Sequence, residues 1–379
     1  MKRKRVCIVA TVPFALMMFM KPHIFMLSEK YDLTLIAKGK SSELELLLRN
    51  GVKFIPIDIE RKISIWNDFY VLIQLFLIFR KNQFDAVHSI MPKAGLLAML
   101  AAYFSRVPTR IHTFTGQVWA NKTGLVRLIL KLFDKIIALF STNLLTDSFS
   151  QRDFLINQNI SDNKKIRVLG YGSVCGVDTG RFKQNLIVRN KIRASLGIPI
   201  DAMVFLYLGR LNRDKGVLDL AASFNRLIDE LPNAHLMMVG PDEEGIAENL
   251  YEILKNCRQK FHLVGFSAKP EDYMASADIF CLQSYREGFG SVVVEAAAVG
   301  LPAIASNIYG LVDAVVNGET GILHEVGNIE EITQAMLLLS CDDNLRARMG
   351  SNAEYRVKKN FTTDVIRQEM RIFYEKLLD

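Results

Sequence analysis

The sequence is poor in cysteine. Its five residues, Cys7, Cys175, Cys257, Cys281 and Cys341, form no C-x-x-C pair. This excludes a zinc ribbon and points to a reducing compartment. Long apolar runs are also missing: the stretch Phe69 to Phe79 falls well short of the roughly 18 residues a membrane-spanning helix needs, so no segment is expected to cross a bilayer. No internal repeat or low-complexity tract occurs, which sets aside solenoids and disordered chains.

What remains is a chain of 379 residues, half of them hydrophobic. That length holds two ordinary domains, because single cores stop growing well before it. The opening "MKRKRVCIVATVPFALMMFMKPH" has the basic start and apolar run of a secretory leader. However, Pro13 interrupts the run, no small-residue cleavage site follows, and "RVCIVAT" reads as the buried first strand of an α/β domain. Charge is unevenly shared. Residues 1–185 carry 27 Lys and Arg against 13 Asp and Glu, a balance of +14, whereas residues 186–379 carry 20 against 27, a balance of −7. The basic half would attract an anionic partner such as a membrane leaflet, a diphosphate or nucleic acid.

Strand-length apolar runs alternate with longer amphipathic stretches: "VCIVAT", "YDLTLIAK", "KFIPID", "FDAVHSI", "RIHTFTG", "NLLTDS" and "KIRVLGYGS". The pattern restarts with "MVFLYLGRL", "AHLMMVG", "KFHLVGF", "ADIFCLQS", "PAIAS" and "GILHE". This is the strand–helix alternation of parallel sheets covered by helices. The expected fold class is α/β, with two Rossmann-like domains at 1–184 and 185–357 and a carboxyl-terminal helix at 358–379 packing back on the first. Ligands of open α/β sheets bind outside the carboxyl ends of the strands.

Two such strand ends carry chemistry. In "YREGFGSVVVEAAAVGLPAIAS" the carboxylates Glu287 and Glu295 flank a glycine-rich loop and a helix start. Gly288 and Gly290 allow close backbone approach, and free N–H groups at the helix start, with Ser291 as the expected cap, suit an anion such as a diphosphate. The carboxylates suit vicinal hydroxyls. In "LYLGRLNRDKGV", Gly209 ends a strand, and Arg210 and Lys215 follow in a short loop. Arginine can clamp phosphate bidentately, while lysine supplies a mobile charge. Each residue alone would read as an ordinary surface charge.

Together "GRLNRDKG", "LVGF", "EGFGSVVVEAAAVGLPAIAS" and "GETGILHE" resemble glycosyltransferase family 4, whose GT-B fold sets two Rossmann-like domains face to face. The resemblance covers most of residues 200–330. It implies that Glu287 orients a donor sugar, Glu295 holds the nucleotide ribose, and Arg210 and Lys215 neutralise the donor diphosphate. It places Gly265 and Phe266 at the base, and Gly209, Gly288, Phe289, Gly290, Ser291 and Val292 along the sugar and phosphates. The amino-terminal half resembles a branch that builds bacterial surface polysaccharides, O-antigen and capsule among them, on polyprenyl-diphosphate lipids. There the sequence departs from the wider family: the loop after the first strand is "TVPFALMMF" rather than glycine-rich, Thr115 stands where a histidine is frequent, and Cys175-Gly176 replaces Asn-Gly. His88 and His112, at predicted strand ends, are the remaining candidates for substrate contact.

The activity implied is retaining transfer of a hexose or N-acetylhexosamine from a nucleotide-diphosphate sugar, UDP favoured, to a polyprenyl-diphosphate-linked saccharide. It would proceed by front-face attack at the cytoplasmic face of the membrane. No Asp-x-Asp pair occurs, so no metal and no cofactor beyond the donor itself is expected. The helix pattern in "GLVRLILKLFDKIIALF", with Arg127, Lys131, Asp134 and Lys135 on one stripe, reads either as a core helix with a wet edge or as a helix lying on anionic lipid. Rival readings are a GT-B sugar-nucleotide epimerase, a transferase for a soluble acceptor, and a basic nucleic-acid binder, the last lacking interleaved aromatics.

Overall fold

The computed structural model describes residues 3–39, 41–48, 51–60 and 64–379. Among the described residues, the apolar runs picked out in the sequence form thirteen strands in two parallel sheets. The first holds β1 (Arg5–Val9), β2 (Asp32–Ala37), β3 (Lys53–Pro56), β4 (Ala86–Ile90), β5 (Thr109–Phe114), β6 (Asn143–Thr146) and β7 (Ile166–Val168), in the order β3-β2-β1-β4-β5-β6-β7. The second holds β8 (Met203–Leu208), β9 (Ala234–Val239), β10 (Phe261–Gly265), β11 (Ile279–Leu282), β12 (Ala303–Ser306) and β13 (Gly321–His324), ordered β10-β9-β8-β11-β12-β13. β4 and β9 are buried at every position. Helices cover both faces of such strands, so they show no polar alternation. In each sheet the winding direction reverses once, between β1 and β4 and between β8 and β11, and these switch points are where an open sheet leaves room for a ligand.

The chain divides into two compact units, Met1–Gly176 with Thr363–Asp379, and Val177–Thr362. The first boundary therefore lies before the 184/185 junction drawn from sequence. The reason is local: the Val177 N–H donates to the Phe361 carbonyl at 2.7 Å, and Val177 and Phe182 are buried in the core of the second unit. The carboxyl-terminal segment 358–379 is likewise not one helix. Of the helices that matter below, α7 (Asp343–Asn360) ends first, Phe361 is buried, and α8 (Thr363–Leu378) then begins in the first unit. There α8 packs on α1 (Lys21–Lys30), with Lys30 paired to Glu375 at 3.0 Å and the Tyr31 and Tyr374 rings 6.1 Å apart.

Three neighbouring helices cover one face of the first sheet: α2 (Ile65–Asn82), α3 (Pro92–Phe104) and α4 (Gly124–Phe140). The last is the "GLVRLILKLFDKIIALF" stretch, and it is not a core helix with a wet edge. Only Asp134, Ile137 and Ala138 are buried, whereas Leu125, Leu128 and Leu132 are exposed. Three of its four stripe residues turn toward Trp119, while Lys135 stays exposed. Asp134 accepts a 2.7 Å hydrogen bond from buried Trp119 Nε1, and Arg127 and Lys131 lie over the same indole ring at 5.9 and 5.6 Å. Burial pushes the Asp134 carboxyl up to about 7, against the Trp119 hydrogen bond.

Candidate functional site

The candidate site is built at the switch point of the second unit, from the chain leaving β8 and the chain leaving β11. After β8 the backbone passes Arg210, makes a short 3-10 turn at Arg213–Lys215, and enters α5 (Val217–Leu227) through Gly216. Gly216 has φ +63°, and a Cβ there would stand 2.0 Å from the Gln283 carbonyl oxygen. Only glycine lets this turn lie against the β11 loop. That contact sets Lys215 across from Glu287.

Lys215 Nζ pairs with Glu287 Oε1, and Ser284 Oγ donates to the same oxygen at 2.9 Å. Both partners of the ion pair are mostly buried, at 18% and 14% side-chain exposure, so the pair is far less screened than a surface one. The loop is laced to the β8 turn: the Tyr285 N–H donates to the Asp214 carbonyl at 2.9 Å, and Tyr285 Oη donates to Asp219 Oδ2 at 2.8 Å. Arg210 points elsewhere. Its Nη1 meets both carboxylate oxygens of Glu243, at 3.2 and 2.9 Å, and both side chains are substantially exposed. Such a pair is worth under about 1 kcal/mol, so another anion can displace it cheaply.

From Glu287 the chain runs through Gly288, Phe289 and Gly290 into α6 (Ser291–Ala298). The cap is Gly290, at φ +77°, and not Ser291, which is the first helical residue. A Cβ on Gly290 would meet Leu311 at 2.5 Å, so the left-handed turn leaves no room for a hydroxyl-bearing cap. Phe289 is buried with its ring 5.3 Å from Phe361. Its side chain anchors the loop, leaving only backbone to face a ligand. Glu295 and Val292 are half-buried. Burial raises the Glu295 carboxyl to about 7, which nearby Arg181 opposes and Glu271 reinforces; Arg181 and Glu271 themselves pair at 2.7 Å. Gly209 ends the β8 run, and at the edge strand β10 Gly265 has φ +77° with the Phe266 ring exposed beyond it. Ser284, Glu243 and Arg181 were not singled out from sequence. Ser284, three residues before Glu287, was within reach of a loop reading, but nothing in the sequence ties Glu243 or Arg181 to this site.

The two candidate histidines are not at strand tips. His88 lies inside β4 and is fully buried, its Nδ1 hydrogen-bonded to Tyr374 Oη and its Nε2 to Thr113 Oγ1, each at 2.8 Å. His112 lies inside β5, also fully buried, with Nδ1 2.8 Å from Ser89 Oγ and α3 pressed on it at Gly95, where a Cβ would stand 2.4 Å from the ring. Burial lowers both imidazoles to about 3, so they are neutral core groups. Strand length explains the difference, because each strand continues two residues past its histidine.

Comparison with known proteins agrees with this architecture. Residues 5–147 match the family model described as glycosyl transferase 4-like, and residues 188–356 the model for glycosyl transferases group 1. The chain is 32% identical over 325 residues to the Staphylococcus aureus capsular polysaccharide biosynthesis glycosyltransferase CapM, covering 85% of this chain and 84% of that one. It is 28% identical to the Escherichia coli UDP-Gal:alpha-D-GlcNAc-diphosphoundecaprenol alpha-1,3-galactosyltransferase, covering 88% and 86%. Among solved structures, Anabaena Alr3699/HepE in complex with UDP and glucose has the same fold, with a TM-score of 0.83 at 17% identity, covering 98% of this chain and 100% of that one. The chain thus belongs to the group 1, family 4-like glycosyltransferases of GT-B fold and is a glycosyltransferase.

Proposed function

We propose that this glycosyltransferase moves a hexose or N-acetylhexosamine from a nucleotide-diphosphate sugar, a UDP-sugar in first place, to a saccharide carried on polyprenyl diphosphate during synthesis of a bacterial surface polysaccharide. The observation that carries the reading is the mostly buried Lys215–Glu287 pair beside the glycine-capped start of α6. A donor diphosphate at the helix start meets backbone N–H groups and the Lys215 charge, while Arg210 swings from Glu243 to clamp it. Glu287 then accepts from sugar hydroxyls, and Glu295 from the ribose. Support for a lipid-linked acceptor comes from the Escherichia coli relative, named for transfer to a diphosphoundecaprenol saccharide.

The acceptor hydroxyl oxygen bonds to the anomeric carbon as the bond from that carbon to the phosphate oxygen breaks. The departing phosphate oxygen takes the acceptor proton on the same face, so configuration is retained. Lys215, Arg210 and the start of α6 stabilise the charge that grows on the leaving diphosphate. His88 and His112 have no part in this scheme. The basic first unit binds the acceptor at an anionic membrane surface, at the cytoplasmic face; among the described residues no helix is long and apolar enough to cross the bilayer.

The test is to screen UDP-sugars by thermal shift on the full chain, then follow labelled sugar onto a synthetic polyprenyl-diphosphate monosaccharide and read the new anomeric centre by NMR. Retention with the lipid-linked acceptor supports the proposal. Donor conversion without any acceptor would show an epimerase, and equal transfer to a soluble saccharide would remove the lipid from the assignment.

A further inference from the structure

We infer that the first unit enters an anionic bilayer through one particular edge, made by the amino-terminal turns of α2 and α4. This deepens the membrane part of the proposed function and rests on it. The starting observation is an inversion of the usual amphipathic arrangement. α4 directs Arg127, Lys131 and Asp134 to Trp119 and Gln158, with Lys131 Nζ donating to Gln158 Oε1 at 2.8 Å, and presents Leu125, Leu128 and Leu132 to solvent. α2 does the same by composition. From Ile65 to Leu77 every exposed residue is apolar, and Trp66 is 86% exposed.

Topology places these surfaces together. α2 joins β3 to β4, and α4 joins β5 to β6, all parallel strands, so both helices start at the carboxyl edge of the same sheet. α3 bridges them: Ser105, which follows it, donates through Oγ to the Phe76 carbonyl at 3.1 Å, and the rings of Tyr103 and Phe140 lie 4.8 Å apart. Exposed Trp66 and Phe69 on α2 and exposed Leu125 and Leu128 on α4 fall in the first turns, while exposed Phe104 and Leu139 lie in the last turns of α3 and α4. Contiguous exposed apolar surface of this kind marks an interaction site.

Charge decides the occupant. Residues 61–140 carry 11 Lys and Arg against 3 Asp and Glu. All three acids are already engaged: Asp68 with Lys93 at 2.6 Å, Asp85 with Lys4 at 3.3 Å, and Asp134 with Trp119. An exposed apolar surface with a tryptophan at its tip, on a segment whose basic residues outnumber its acidic ones by eight, suits the headgroup boundary of an anionic bilayer. A second copy of the chain would bring the same positive charge and be repelled. Because the inserted edge is the carboxyl edge of the sheet, a lipid-linked acceptor is met on the side where an open sheet binds its ligands.

The two tryptophans make the test direct, since Trp119 is buried and Trp66 is not. The full chain is mixed with vesicles of phosphatidylglycerol or of phosphatidylcholine, some with brominated acyl chains. Fluorescence should shift to the blue and be quenched with the anionic vesicles, and the Trp66→Phe variant should lose the response while still sedimenting with them. Combined Phe69→Glu and Leu128→Glu changes should weaken sedimentation by more than about tenfold, with thermal stability and UDP binding unchanged. Sedimentation with no quenching of Trp66, or undiminished in the double variant, overturns the inference. So does a dimer in solution that the double variant disperses. Failure of UDP-sugar binding in the wild type would instead strike the proposed function, and the vesicle assay does not depend on it.

Discussion

The two units are wound by the same rule yet place their polar groups oppositely. In the second unit the switch point is polar: the mostly buried Lys215–Glu287 pair and the exposed Arg210 stand on the loops leaving β8 and β11. At the corresponding point of the first unit, the chain leaving β1 enters a helical segment with a π turn at Leu16–Met20, and the polar residues nearby, His88 and His112, are sealed in the core. Outside, the contrast reverses, since the first unit wears the exposed apolar helices. One unit carries its charged groups at the strand ends, the other its exposed apolar surface on helices. Similar topology therefore predicts where a ligand can sit, and side-chain direction decides what kind.

The contrast is broken most severely at Lys215. Lys215→Ala should lower kcat by about 100- to 1000-fold, the usual loss for one charge-stabilising group. It should also cost stability of roughly 1–3 kcal/mol, because Glu287 is left mostly buried without its partner. Arg210→Ala, which removes an exposed pair, should lower kcat with no change in melting temperature. Steady-state kinetics and thermal melts of both variants check this, and full turnover in Lys215→Ala would refute the role.

A second test asks whether the first unit's histidines are structural. Held near 3 in the fold against about 6.5 unfolded, they stabilise the protein when neutral. That contribution is complete above the unfolded value and is lost as pH falls toward the folded one. Chemical denaturation from pH 7.5 down to 4.5 should show falling stability. His88→Gln should lose about 1–3 kcal/mol at pH 7.5 through its broken hydrogen bonds, and it should show a shallower acid dependence. A His88→Gln variant with unchanged stability but abolished turnover would return that residue to the site.

The smallest effect sharpens the role of Glu295. Its carboxyl is raised to about 7, so it is mostly protonated at pH 6 and ionised at pH 8. If the ionised form accepts from the ribose, UDP affinity should rise with pH across that window by up to about tenfold, and Glu295→Gln should flatten the profile. Calorimetry at pH 6, 7 and 8 measures it; a profile unchanged by the substitution would remove Glu295 from nucleotide binding.

The central strands were legible because each is an apolar run bounded by turn residues, and burial on both faces demands such runs wherever they are placed. Arg210, Lys215, Glu287 and Glu295 were legible as chemistry near strand ends, and the family resemblance added their order. The Lys215–Glu287 partnership was not, since it spans 72 positions and depends on Gly216 yielding room to the β11 loop. Nor was the cap of α6, because a serine beside a glycine reads as a capping hydroxyl until Leu311 is seen to fill the space.

The sequence by itself determined the alternation of strand and helix, the restart that makes two sheets, and the charge difference between halves. These are local or summed properties, which periodicity and composition carry without any partner. Tertiary structure alone decided which side of α4 meets protein. Helical spacing specifies that polar and apolar stripes oppose one another but not which faces inward, and here the indole of Trp119, brought in from the loop after β5, draws Arg127, Lys131 and Asp134 to itself and leaves Leu125, Leu128 and Leu132 exposed.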